Sequence, residues 1–141
     1  PHWEPDMESR EAAPERAARY PLQMVSAASH YFLNSSFGNV PSLRRRHGMP
    51  FVEVHPADAA ERGLADGDTV EVANDRGGFQ ARVKIGETVA RGSVFCPTVW
   101  WSRHAPDGRG ANWTTSDALA DYAGGATFHG NLVELRRLPA S

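Results

Sequence analysis

The stretch FVEVHPADAAERGLADGDTVEVANDRGGFQARVKI, residues 51–85, carries the strongest secondary-structure signal in the chain. Apolar and polar residues alternate in Phe51–Val54 and again in Thr69–Ala73, as in strands that bury one face. Residues 74–78, NDRGG, predict a tight turn, after which residues 79–85 return with their apolar side chains on one face. We therefore predict an antiparallel hairpin preceded by one further strand.

A short helix is predicted between the first two of these strands, over residues 55–62. Pro56 lies in its first turn and Gly63 follows its end, which is the usual punctuation of a short helix. Leu64 is then expected to pack against the core, and a turn at residues 66–68, DGD, leads into the next strand. The unit therefore contributes three strands and one helix to the fold.

Outside this unit, three more apolar stretches predict strands, at residues 21–25, 93–97 and 131–135. Two long polar segments join them: residues 26–39, and residues 102–126 with one helical turn predicted near 117–120. Loops of this length are uncommon in a compact domain and are often functional. About six short strands, one short helix and two long loops predict an all-β fold, a small barrel that carries its loops at one end.

The composition is that of one globular domain, with 40% hydrophobic and 23% charged residues among 141. A net charge of -2 and a pI near 6.3 give no general attraction to nucleic acid. No apolar run approaches the roughly 18–20 residues of a membrane-spanning helix, so no membrane insertion is predicted. The predicted partners therefore exclude nucleic acid and membrane.

Residues 1–19 are rich in Glu, Arg, Ala and Pro, and we predict a linker or an extension from a preceding domain. The folded domain is predicted over residues 20–138. Because the chain begins at Pro1 rather than at a methionine, we expect it to be part of a longer protein. The single cysteine, Cys96, leaves the compartment undetermined, with the cytoplasm favoured over the periplasm.

Catalytic and metal sites of the familiar kinds are not predicted in this chain. The acidic residues lie in a helix and in turns, where capping explains them. The six histidines lack the spacing of a zinc site, and Cys96 lies in an apolar strand, where a thiol usually serves as a small hydrophobe. Neither a phosphate-binding P-loop nor a dinucleotide-binding glycine motif occurs.

Binding of a large polar ligand is the better prediction, because the two long loops combine small, amide, hydroxyl and aromatic residues. Aromatic faces stack on heterocycles, while amide and hydroxyl groups bind phosphate and ribose. Of the consecutive pair Trp100 and Trp101, one is expected to point into the core. The basic cluster at residues 44–46, with His47, is interpreted first as a solvated loop or a partner-facing surface, and second as a phosphate contact.

At this point the order of elements resembles a known family. The matching stretches are PLQMVSAASHYFLNSSFGN (21–39), the unit at 51–85, GSVFCPTVWW (92–101) and ANWTTSD (111–117). Together they resemble the carboxy-terminal molybdopterin-dinucleotide-binding domain of the dimethyl sulfoxide reductase family, which includes formate dehydrogenases and periplasmic nitrate reductases. The resemblance covers nearly all of residues 20–136.

The resemblance implies a six-stranded double-psi β-barrel, similar to that of aspartate decarboxylase. It also implies that the chain binds molybdopterin guanine dinucleotide within a bis-molybdopterin cofactor of molybdenum or tungsten, as a carboxy-terminal domain or a small subunit of an oxidoreductase. The metal ligand and any iron-sulfur cluster belong to other domains or subunits, which are the implied partners, so the chain is not expected to be catalytic alone. The implied cofactor contacts are Ser26, Ala28, Ser29, His30, Tyr31, Trp100, Asn112, and Phe128 and His129.

Two other interpretations stay open on the sequence. One is a double-psi barrel that recognises proteins and holds no cofactor. The other is a small enzyme resembling aspartate decarboxylase, which matures by self-cleavage before a serine. Here the only Gly-Ser pair, Gly92-Ser93, leads into an apolar strand, which disfavours such cleavage.

Overall fold

The computed structural model describes residues 5, 7–97, 100–120, 124–128 and 130–139. Its strands close into one barrel in the order β1-β5-β2-β4-β3-β6. They are β1 (Leu22–Val25), β2 (Phe51–Val54), β3 (Thr69–Ala73), β4 (Gly78–Ile85), β5 (Ser93–Phe95) and β6 (Asn131–Arg137). The predicted six-stranded, mainly β barrel is confirmed.

The direction of the strands brings both long loops to one end of the barrel. Strands β1 and β5 are parallel, as are β2 and β4, and every other neighbouring pair is antiparallel. The last residues of β1, β3 and β5 therefore lie at the same end as the first residues of β2, β4 and β6. We call this the loop end; it comprises the described residues of 26–50, 74–77 and 96–130. The opposite end, with residues 55–68 and 86–92, is called the helix end.

The barrel interior is filled by the alternate side chains that the sequence pattern predicts. Val70 and Val72 of β3 and Val52 and Val54 of β2 have no accessible surface, and Met24 of β1 meets them in the same core. Burying an aliphatic side chain of this size contributes about 1.5–3 kcal/mol relative to leaving it in water. The core therefore holds the strands, and through them both ends of the barrel, in fixed positions.

The structure contains three short α-helices, where the sequence predicted one. The predicted helix is α3 (Pro56–Glu61), in which the His55 Nδ1 atom accepts a hydrogen bond of 3.2 Å from the Ala57 amide. Helices α1 (Pro14–Arg19) and α2 (Pro41–His47) were missed, although each begins at a proline.

The helical turn predicted near residues 117–120 was wrong, because Leu119 pairs there with Ala126 in an isolated β-bridge. That loop instead has 3-10 turns at Ser102–His104 and Ala111–Trp113. No helix in the described ranges has the length and apolar character needed to cross a membrane.

The segment before β1 is held on the barrel by ion pairs. Arg16 of α1 donates hydrogen bonds of 2.8 and 2.6 Å to both carboxylate oxygens of Asp75, in the turn between β3 and β4. Glu8 pairs with Arg76 of the same turn. The division of the chain at residue 20 stays a prediction, but this segment contacts the barrel rather than standing apart from it.

Candidate functional site

The first loop presents two of its predicted ligand residues as buried polar groups and two as exposed ones. Ser26 and Ser29 are buried, whereas Ala28 and His30 are exposed. The Ser29 Oγ atom accepts a hydrogen bond of 3.2 Å from the Tyr31 amide and so stabilises the local turn. The Ser26 Oγ atom is buried without a hydrogen-bond partner.

A series of ring contacts leads from the first loop to the second. His30 meets Tyr31 edge-on at 5.5 Å between ring centroids, and Tyr31 lies 6.0 Å from His47 of α2. His47 in turn stacks on Trp100, with centroids 4.9 Å apart and planes 14° from parallel. Phe32 is buried and meets Trp100 edge-on at 5.4 Å. Trp100 therefore joins the two loops.

Burial also changes the acid-base behaviour of this cluster. Partial burial lowers the pKa of His47 below the usual histidine value, because the apolar surroundings disfavour the charged ring. His47 is thus a neutral ring that stacks flat on an indole. As part of the basic cluster at residues 44–47 it was predicted to contact phosphate only in the second interpretation, and it was not among the implied cofactor contacts. Pro41 and Gly48 bracket a helix that brings it within one turn of Arg44.

Behind Trp100 lies a cavity of about 210 Å³ at the loop end of the barrel. Its walls include Trp100, Asn112 and Trp113 from the second loop and Phe51 and Phe79 from the strands. The predicted residue Asn112 is exposed at this cavity. The cavity is therefore aromatic, with a small number of polar groups around it, as ligand pockets commonly are.

Cys96 also lines this cavity, but as an unreactive group. The side chain is buried, and burial raises the pKa of its thiol well above the usual value. A thiol that stays protonated is a poor nucleophile and a poor metal ligand. Among the described residues, no group of three or more His, Cys, Asp or Glu side chains could hold a metal ion.

A buried polar network attaches the second loop to the barrel. The Asn74 Nδ2 atom donates to the Thr114 carbonyl oxygen at 2.7 Å and to the Leu132 carbonyl oxygen at 3.1 Å. Asn131 Nδ2 donates to the Thr114 hydroxyl at 2.8 Å, and that hydroxyl donates to the Ala111 carbonyl oxygen at 2.7 Å. Because buried polar groups are costly unless paired, this network fixes the turn that carries Asn112.

Of the last two predicted contacts, Phe128 and His129, only Phe128 lies among the described residues. Phe128 is exposed at the loop end and does not line the cavity. His129 lies outside the described residues. The structure therefore brings the first loop, Trp100 and Asn112 together at one end, and it gives Phe128 no contact with the cavity.

Several buried polar atoms at the loop end lack a hydrogen-bond partner among the described residues. They are Ser26 Oγ, Arg44 Nε, His47 Nε2 and Trp100 Nε1. Buried polar atoms are nearly always paired in folded proteins, so each of these calls for a partner. Three of the four are nitrogen atoms that can donate to an acceptor-rich ligand. The set fits phosphate and heterocycle groups.

Positive charge surrounds the same end of the barrel. The guanidinium of Arg103 lies over the Trp101 ring at 4.4 Å, and that of Arg109 lies over the Trp113 ring at 4.8 Å. Arg44 approaches the ring of His104, with its Nη1 atom 2.6 Å from Nδ1. A flat anionic ligand would meet both stacking surfaces and cations here.

Comparison with known proteins decides the family. Residues 22–132 match the model of the "Molydopterin dinucleotide binding domain". The chain belongs to this family. Its cofactor class is accordingly a molybdopterin dinucleotide, as the sequence predicted.

The relatives agree with this assignment. Dimethyl sulfoxide/trimethylamine N-oxide reductase of Rhodobacter capsulatus is 41% identical over 99 residues, 67% of this chain and 11% of that protein. Probable oxidoreductase YoaE of Bacillus subtilis is 30% identical over 119 residues, 84% of this chain and 17% of that protein. Acetylene hydratase from Pelobacter acetylenicus shares the fold, with a TM-score of 0.78 at 18% identity over 98% of this chain and 21% of that chain.

The chain is thus a molybdopterin dinucleotide-binding domain of the kind found in molybdenum oxidoreductases, and it spans only 11 to 17% of these two curated relatives. The predicted family and cofactor class are confirmed. The individual ligand residues stay predictions. Arg44, His47 and His104 complete the site geometrically and were not among the implied cofactor contacts. Arg44 and His47 belong to the basic cluster whose second interpretation was a phosphate contact, and no local signal indicated His104.

Proposed function

We propose that the loop end holds the guanine dinucleotide part of a bis-molybdopterin cofactor of molybdenum or tungsten, as the carboxy-terminal domain or a small subunit of an oxidoreductase. The observation that carries this proposal is the set of unpaired buried polar atoms, which lies where the two long loops meet. At the helix end, by contrast, the buried carboxylate of Asp58 is paired with a backbone amide.

Each proposed contact follows from the chemistry of the side chain. The hydroxyl of Ser26 and the nitrogen atoms of Arg44 and His47 suit phosphate oxygens, which accept hydrogen bonds. His30 and Asn112 are exposed on the two facing loops, where they can bind polar groups of the nucleotide. When bound, the cofactor supplies the oxygen-atom or hydride chemistry through its metal, while this domain supplies binding and orientation.

The exposed apolar residues support a protein partner at the same end. Leu33, Phe37, Leu119 and Phe128 are each 45% exposed or more. Clusters of exposed large hydrophobic side chains usually mark an interaction surface. Because the chain spans so small a part of its curated relatives, we propose that the remaining domains or subunits of the parent oxidoreductase cover this surface.

The test is the cofactor content of the parent protein with His30→Ala or Asn112→Ala. Both side chains are exposed, so the variants should fold normally, while metal and pterin per protein should fall several-fold. The measurement is metal analysis together with pterin fluorescence after release of the cofactor. The matched control is Asn39→Ala, an exposed asparagine at the far end of the first loop.

Wild-type metal and pterin content in both variants would contradict the proposal. That result would favour the interpretation as a protein-recognition barrel. Removal of the first loop should then leave partner binding intact.

A further inference from the structure

Helix α2 contacts the second loop through two side chains on one face. Arg44 and His47 are three residues apart, which places them on adjacent turns of the helix. His47 stacks on Trp100 at 4.9 Å, and the Arg44 Nη1 atom lies 2.6 Å from Nδ1 and 3.0 Å from Nε2 of His104. The helix therefore holds both ends of the segment that begins the second loop.

The first loop contacts that segment independently. The Trp101 Nε1 atom donates a hydrogen bond of 2.7 Å to the Ser35 carbonyl oxygen. Gly38 lies under the same indole, and a Cβ atom there would come within 3.1 Å of the ring. A side chain at residue 38 would displace the indole by a few tenths of an ångström. Both cofactor loops are thus joined through Trp100, Trp101 and His104.

The contact between Arg44 and His104 favours a neutral imidazole. The Arg44 Nη1 atom is close to both ring nitrogens, at 2.6 and 3.0 Å, so it lies over the face of the ring rather than along one lone pair. A neutral ring accepts a cation against its face, whereas a protonated imidazole is itself a cation and repels it. Arg103, in the same 3-10 turn, and Arg44, from α2, are the charged groups that act on this ring. Protonation would therefore place three cations together.

We propose that Arg44 and His47 are positioning residues of the cofactor site, and that the clasp they form with His104 and Trp100 opens when His104 is protonated. The role of the clasp, which is to order both loops before the dinucleotide binds, rests on the proposed function. The clasp itself is a property of the chain and can be tested without the cofactor.

The test is hydrogen exchange of the 141-residue chain, measured for residues 29–38 and 100–110. At neutral pH, Arg44→Met should raise exchange in both segments roughly tenfold, because one charge-assisted contact is lost. The matched control is Arg45→Met, at an exposed arginine of the same helix, and it should leave both segments unchanged. His104→Gln should keep the protection, because its neutral amide oxygen can accept a hydrogen bond from Arg44.

Lowering the pH distinguishes opening of the clasp at His104 from a simple loss of packing at α2. As the pH falls below the ordinary histidine pKa, after correction for intrinsic exchange, the wild-type segments should move toward the rates of Arg44→Met. His104→Gln has no titrating ring at this position and should stay protected. Equal acid responses of wild type and His104→Gln, or changes confined to residues 41–47 in Arg44→Met, would overturn the proposal. Neither outcome depends on cofactor content, so the clasp and the proposed function can fail separately.

Discussion

The two ends of the barrel satisfy their polar groups in different ways. At the helix end, Asp58 is buried and accepts a hydrogen bond of 2.5 Å from the Gly92 amide. Arg62 there binds both carboxylate oxygens of Glu134, at 2.6 and 3.3 Å. At the loop end, four buried polar atoms lack partners among the described residues, and large apolar side chains are exposed.

The difference supports the proposal that the loop end, and not the helix end, binds a group outside the chain. A helix end whose polar groups pair internally is stable by its own contacts, because pairing offsets the cost of burying them. Under the proposed function, the unpaired donors and exposed hydrophobic residues of the loop end gain their partners on binding. Substitutions of paired groups, at the helix end or in the Asn74 network, should therefore change stability, and substitutions of the unpaired groups at the loop end should change binding.

The largest expected effect is at Asn74, which ties the second loop to the barrel. Asn74→Ala removes the donor that serves the Thr114 and Leu132 carbonyl oxygens and leaves them buried without it. We expect a loss of about 3 kcal/mol in the free energy of unfolding, measured by urea denaturation. An equal loss in Asn39→Ala, at an exposed asparagine, would show that the network has no special role.

A smaller effect is expected at the helix end. Asp58→Ala leaves the Gly92 amide without its acceptor, which should lower the free energy of unfolding by about 2 kcal/mol. Metal and pterin content per folded parent protein should stay at the wild-type level. Loss of cofactor from the folded variant would contradict the assignment of cofactor binding to the loop end alone. Asp117→Ala, at an exposed aspartate, is the matched control.

The consecutive residues Trp100 and Trp101 differ in whether their indole nitrogen is paired. Trp100 Nε1 is unpaired, whereas Trp101 Nε1 donates to the Ser35 carbonyl oxygen. Trp101→Phe should lower the free energy of unfolding by about 1 kcal/mol through loss of that bond. Trp100→Phe loses no such bond and should lower the free energy of unfolding less than Trp101→Phe does.

The content of bound cofactor gives the second measurement on this pair. Trp100→Phe removes a free donor at the proposed site, so it should reduce metal and pterin content of the parent protein more than Trp101→Phe does. The reverse order in both measurements would contradict the assignment of Trp100 Nε1 to the ligand.

The smallest expected effect is a dependence of stability on pH. Since burial lowers the pKa of folded His47, the unfolded chain binds a proton at a pH where the folded chain does not. The stability due to neutral His47 is full above about pH 6.5 and declines as the pH falls toward the lowered pKa. The melting temperature of the chain should therefore drop on acidification, and less so in His47→Gln. Parallel pH profiles for the two proteins would contradict this.

Most of the barrel was predictable because its strands alternate in burial. The unit at 51–85 gave its strands and helix α3 correctly, since a half-buried strand and a proline-started helix leave local signals. Helix α2 was missed because none of the residues 41–47, PSLRRRH, is buried. The segment therefore lacks the repeating apolar positions by which a helix is recognised in a sequence. Its proline, the following Gly48 and the basic residues of its last turn were the local signals.

The site was predictable as two loops but not as a set of contacts. Polar composition indicated residues 26–39 and 102–126, and strand direction then placed both at one end. The stacking of His47 on Trp100 joins residues 53 positions apart, which no local pattern specifies. The basic cluster was first interpreted as a solvated surface; Arg45 and Arg46 are exposed, whereas Arg44 turns toward His104.

An experimental map of the parent protein with its cofactor bound would show which end of the barrel holds the dinucleotide. We predict dinucleotide density at the loop end, between residues 26–31 and the segment around Trp100 and Asn112. Dinucleotide density at the helix end, against α3 or residues 86–92, would show that the loop end is not the binding site.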